Sequence, residues 1–172
     1  VRNIDSFVES RRQKTSEKDR KTVQSILNDV KRNGDSAVKK YERKFNGRKT
    51  SQLRISEKEI KEARYKISRE EVTALQTMSA RLSNSSPKIQ IRGSRKFVAI
   101  PSVGCYIPGG QARYPSSVVM SVIPAKIAGV KRIVIVSPPD RDGKIDPLTI
   151  VAAKKCGATE IYKIGGAQAI GA

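Results

Sequence analysis

The residues best placed to do chemistry gather around two glycine pairs, Gly109-Gly110 and Gly165-Gly166. Each pair follows a short apolar run and precedes a stretch with helical spacing. Glycines at such a turn let backbone amides approach a phosphate, and the helix start that follows favours negative charge. Neither pair completes the GxGxxG dinucleotide fingerprint. Gly109-Gly110-Gln111-Ala112-Arg113 lacks the last glycine, and Gly165-Gly166-Ala167-Gln168 has a different spacing. On motif alone, a tight strand-to-helix turn is as good a reading as a nucleotide cradle. Tyr106, just before the first pair, offers a ring to stack on a flat cofactor and a hydroxyl to hydrogen-bond. Gln168, just after the second, offers an amide donor and acceptor. Arg113 and Tyr114 share the first loop. Asp140 follows an apolar run, where dinucleotide folds place a carboxylate on a ribose hydroxyl, but Pro138-Pro139 before it argues against that role. Cys105 invites a covalent aldehyde mechanism. With no histidine to activate it, and inside an apolar run, it reads better as a small buried hydrophobe.

Composition narrows the chemistry further. The 172 residues include no histidine, 35 Lys plus Arg and 16 Asp plus Glu, a formal net charge of +19. No Ser-His-Asp triad, Cys-His pair or histidine-ligated zinc can be built from these residues alone. Two cysteines, Cys105 and Cys156, make neither a disulfide framework nor a CxxC pair, which fits a reducing compartment. The first ten residues carry no charged-then-apolar leader pattern, so the expected location is cytoplasmic. A mean hydropathy of −0.48, with no window near the roughly 18 apolar residues of a spanning helix, argues against a membrane protein. Residues 1–100 carry 26 basic and 12 acidic side chains, whereas 101–172 carry 9 and 4. A basic nucleic-acid-binding module on a Rossmann-like scaffold would show such a bias. No aromatic interleaving or DNA- or RNA-binding signature accompanies it, and solvated helix faces such as Lys39, Lys40, Arg43 and Lys44 account for it more simply.

The elements that must hold these residues change character along the chain. Val23, Ile26, Leu27 and Val30 share one face of a helix, with Ser16 as a cap and Gly34 as its end. Asp35 opens a second helix with Val38, Tyr41 and Phe45 on its buried side. An extended piece at 53–55 leads to two capping boxes, Ser56 with Glu59 and Ser68 with Glu71. Ile60 and Ala63 follow the first; Val72, Leu75, Met78 and Leu82 follow the second. From residue 103 the period changes: apolar strands at 103–107, 133–136 and 161–164 alternate with helices. One helix covers about 116–128, bent at Pro124 and closed by Gly129; the other runs from Asp146-Pro147 to Gly157. The fold class expected is α/β, a helical region at 1–96 followed at 97–172 by an incomplete Rossmann-like βαβαβ parallel sheet covered on both faces. Ligand loops then lie beyond the strand carboxyl ends, at 108–117, 137–144 and 165–169.

At this level the sequence resembles the histidinol dehydrogenase family. The resemblance is carried by Val103-Gly104-Cys105-Tyr106-Ile107-Pro108-Gly109-Gly110, by Tyr114-Pro115-Ser116-Ser117-Val118-Val119-Met120, and by Ile123-Pro124-Ala125-Lys126-Ile127-Ala128-Gly129-Val130. Ser137-Pro138-Pro139, the stretch from Glu160 through Gly165-Gly166-Ala167-Gln168-Ala169-Ile170, and upstream Gly34-Asp35-Ser36-Ala37 and Phe45-Asn46-Gly47 add to it. Such a likeness implies an enzyme of histidine biosynthesis that oxidises L-histidinol through the bound aldehyde to L-histidine, using two NAD and a zinc ion, as a homodimer. It makes Tyr106 and Gln168 the cofactor-binding residues of this chain. The family's third NAD contact (an asparagine), its Glu-His acid/base pair and its zinc ligands have no counterpart here. The resemblance therefore implies an amino-terminal portion with no catalytic or metal residue of its own, inactive by itself.

Overall fold

A computed structural model of the chain describes residues 16–47, 52–85, 98–110 and 112–172. Helix α1 (Glu17–Asn46) starts where Ser16 Oγ accepts the Asp19 N–H at 3.1 Å. It is broken at Gly34 (φ 52°, ψ −135°), a left-handed conformation that glycine adopts without steric penalty. In a straight helix residues 29 and 40 stand about 16 Å apart along the axis, yet Lys40 Nζ donates to Asp29 Oδ2 at 2.7 Å. The two halves therefore double back on each other as a helical hairpin. Ile26, Val30, Val38 and Tyr41 are buried as the spacing predicts. Val23 and Phe45 are not, at 43% and 52% exposed. Phe45 lies in the last turn, where it stacks on Tyr41 with centroids 5.8 Å apart instead of reaching the core.

Asp29 closes the hairpin, and its carboxyl is held down to about 2, chiefly by the Lys40 hydrogen bond and then by Asn33 and Tyr41. Because the folded-state value lies below the ordinary one, this contribution is complete above about pH 4 and fades as pH falls toward 2. Asp29→Asn is thus expected to flatten the loss of stability between pH 4 and 2, read from urea midpoints at each pH. An unchanged slope would count against the clamp.

Helices α2 (Glu57–Tyr65) and α3 (Arg69–Ser85) both begin in the expected capping boxes. Ser56 N–H donates to Glu59 Oε2 at 2.9 Å, and Ser68 N–H to Glu71 Oε2 at 2.8 Å. The sheet comprises β1 (Ser102–Tyr106), β2 (Arg132–Ser137) and β3 (Glu160–Lys163), all parallel and in the order β1-β2-β3. Residues 53–55 extend it beyond β3, with Arg54 bridging antiparallel to Tyr162. Helix α4 (Pro115–Ile127) links β1 to β2 and continues through Pro124; α5 (Pro147–Cys156) links β2 to β3, and α6 (Gly166–Gly171) follows β3. Asp146 caps α5 from the Thr149 N–H, and Gly157 ends it at φ 107°, as the sequence predicts.

Parallel strands are joined by right-handed crossovers, so an order advancing in one direction puts α4 and α5 on the same face. Strand alternation then divides the core. Ile133, Ile135 and Ile161 meet α2 to α5 on one side, with Val118, Val119 and Val122 fully buried. Val134, Val136, Tyr162 and Ile164 meet α1 and Ala169 of α6 on the other. The result is an α/β unit with a partial Rossmann-like sheet. The expected boundary at 96/97 falls outside the described residues; α1 to α3 pack directly against α6, α5 and α4.

Candidate functional site

Three loops leave the carboxyl ends of the strands, and they lie against one another. Ile107 N–H donates to Val136 C=O at 2.8 Å, carrying the β1 register one residue past the strand. The backbone then turns through Gly109 so closely to β2 that a methyl group there would lie 2.6 Å from Ser137 Oγ and 2.9 Å from Pro138 C=O. Gly165 approaches Pro138 as closely, its methyl falling 2.7 Å from Pro138 Cβ. Pro138, which stops β2, is thus the wedge against which both neighbouring loops rest.

Tyr106 and Gln168 meet at the third loop. Gly166 N–H donates to Tyr106 Oη across 3.4 Å, a long bond that reaches from the first strand to the third. Gly166 has φ 61°, and a methyl group on it would lie 2.7 Å from Gln168 Oε1, so the amide oxygen sits directly over its Cα. Tyr106 remains 39% exposed, while Gln168 is 1% exposed. The Gln168 amide donates from Nε2 to Glu42 Oε1 at 2.9 Å, and its Oε1 has no hydrogen-bond partner among the described residues. Buried amide oxygens left in that state are few.

Glu42 gave no signal in the sequence, lying in the charged run Tyr41-Glu42-Arg43-Lys44. It falls four residues after Val38 on the buried stripe of the hairpin, and it is 1% exposed. Its carboxylate accepts the Gly165 N–H at 3.1 Å, the Gln168 amide and the Asn46 amide, the last at 2.7 Å.

The other polar residues of the loops serve the scaffold. Arg113 bonds Glu71 of α3 at 3.0 Å and Asp146, the cap of α5, at 2.9 Å. Asp140 turns its carboxylate onto its own loop, accepting the Asp142 and Lys144 N–H groups, both at 2.9 Å. Tyr114 stands exposed where α4 begins. Cys105 faces the core between β1 and α4, and burial pushes its thiol up, away from the thiolate that a nucleophile needs. Beside Tyr106 a cleft of about 450 Å³ opens on the α1 face of the sheet, lined also by Asp35, Gly104, Tyr162 and Ile170; Gln168 lies outside it. Among the described residues no three His, Cys, Asp or Glu side chains converge to hold a metal ion. No described helix is long and apolar enough to cross a membrane.

Known proteins share this sequence and shape. The sequence profile of a family described as histidinol dehydrogenase matches residues 9–172. Histidinol dehydrogenase of Bacillus licheniformis is 41% identical over 169 residues, covering 91% of this chain and 39% of its own length. That of Methanocaldococcus jannaschii is 40% identical over 163 residues, covering 88% and 38%. The crystal structure of histidinol dehydrogenase from Elizabethkingia anophelis superposes with a TM-score of 0.78 at 32% identity, over 88% of this chain and 38% of that one. The chain spans about two fifths of the length of these relatives. On a match that takes in nearly all of its residues, the chain belongs to the histidinol dehydrogenase family.

Proposed function

We propose that these residues form the cofactor-binding portion of an NAD-dependent oxidation of L-histidinol, through the aldehyde, to L-histidine. The observation that carries this reading is the buried Gln168 Oε1, without a protein partner, over the glycine turn that Tyr106 also touches. The glycines at 109, 165 and 166 let the three loops close on one another around that turn, since a side chain at each would meet Ser137, Pro138 or Gln168. NAD, when bound, accepts the hydride. Tyr106 supplies a half-exposed ring and a hydroxyl, and Gln168 an amide oxygen. Both bind and orient, and this reading gives neither a proton-transfer role.

Zinc does not fit the described residues, and the whole chain has no histidine. The metal and the acid/base chemistry of the family are therefore assigned to the part of its members' length that these residues do not span. The same reading makes the working enzyme a cytoplasmic homodimer. It gives nucleic acid no role; among the described residues Lys40, Arg113, Arg132 and Lys163 are each paired with a carboxylate.

Titration of NAD into protein carrying these residues and the family's remaining length tests the assignment. Gln168→Ala is expected to weaken binding about tenfold and Tyr106→Phe about threefold, the range for one lost hydrogen bond. Unchanged affinity in both variants would sink the reading. The 172-residue chain alone is expected to reduce no NAD with L-histidinol, and measurable turnover would overturn the division of labour.

A further inference from the structure

Gln168 owes its orientation to a residue 126 positions earlier in the chain. The two ends of a glutamine amide have nearly the same shape, and the hydrogen-bond partner alone decides which way round it lies. Here the partner is the Glu42 carboxylate, which can only accept, so the NH2 end must face it and the oxygen end must face away. The same carboxylate oxygen takes the Gly165 N–H, and Asn46 holds the other oxygen, so Glu42 is fixed on both sides. What is left over is a single acceptor, 1% exposed as a residue, aimed over Gly166 with nothing to accept from.

We infer that Glu42 is the positioning residue of this site: it holds Gln168 by Nε2 so that Oε1 is presented as an acceptor to an N–H or O–H donor of the bound dinucleotide. This rests on the reading of Gln168 as a cofactor contact, and it specifies the chemistry of that contact. A phosphate at neutral pH offers acceptors, which this oxygen repels; a ribose hydroxyl or an amide or amino N–H satisfies it. Selectivity then comes from the unpaired oxygen itself, since a ligand lacking the donor leaves it buried and unsatisfied.

A double-mutant cycle on NAD affinity, in the full-length protein, separates positioning from mere support. Gln168→Met is expected to weaken NAD about tenfold, and Glu42→Met about fivefold by freeing the amide to turn over. The double variant is expected to bind at most slightly more weakly than Gln168→Met, because the bond to the Gly165 N–H is the one other route by which Glu42 reaches the site. Glu42→Gln is expected to stay within about twofold of the parent, since its own oxygen can still accept while Asn46 turns to match. Additive losses, or a Glu42→Met variant that binds like the parent while Gln168→Met does not, overturn the proposal and leave the cofactor reading standing. A Gln168→Met variant with parental affinity overturns both. Should Glu42→Met fail to fold, the parent protein decides. The Gln168 side-chain NH2 protons, followed by NMR, are expected to stay protected from water exchange with NAD bound, and their release on binding would show the amide turned around.

Discussion

Gly165→Ala is expected to lower stability by about 1–3 kcal/mol, the usual range for overpacking, and to weaken NAD binding by more than tenfold. The cause is steric. Gly165 has φ −127°, which any residue adopts, but its methyl group would fall 2.7 Å from Pro138 Cβ and 3.2 Å from Pro138 Cα. A proline ring and its own backbone cannot swing aside as the end of a lysine would. The third loop must therefore retreat from β2, and the Gly165 N–H is withdrawn from Glu42, the residue that also holds Gln168. Urea midpoints and NAD titration on the same variant check both halves. A variant that is parental in both would mean that the loops are not wedged on Pro138.

Ile135→Ala is expected to be the most damaging change to the fold, at about 2–5 kcal/mol against a total that for domains of this size is about 5–15. Ile135 is fully buried in the central strand, in the cluster that takes side chains from α2 to α5. Val134, one residue earlier, points to the half-covered α1 face, so Val134→Ala is expected to lose distinctly less. Equal shifts in urea midpoint for the two variants would contradict the division of the core between the two faces.

The parts of this fold visible in the sequence are those decided by local chemistry. Ser16, Ser56, Ser68 and Asp146 each satisfy N–H groups within four residues of themselves, and Gly157 ends its helix by its own left-handed geometry. The strands are visible as short, largely apolar runs between turn residues, because the residues that face the α2 to α5 side must be buried whatever the other face meets. Spacing places Phe45 inward, yet it is exposed, because spacing assigns a face without saying how far the covering structure extends along it. Tyr106 and Gln168 stand out in the sequence through the family resemblance and the glycines beside them. Glu42 does not, since a charged residue inside a charged run looks solvated until the hairpin turns it inward. Nor could the sequence show that Pro138 separates two glycines from different loops, a relation that exists only after the three strand ends are side by side.

The contacts that close the site also set a timetable for its assembly. Tyr106 reaches Gly166 over 60 residues, Lys163 reaches Glu59 over 104, and Gln168 reaches Glu42 over 126. At synthesis rates of about 5–20 residues per second, Glu42 waits roughly 6–25 s before its partner has been made. During that interval the first hairpin carries a carboxylate bound for the interior with no third loop to receive it. Helix α1 can form early, from local contacts, but its inner face is completed by α6, which is made after all three strands, so the loop cluster consolidates after the sheet it joins.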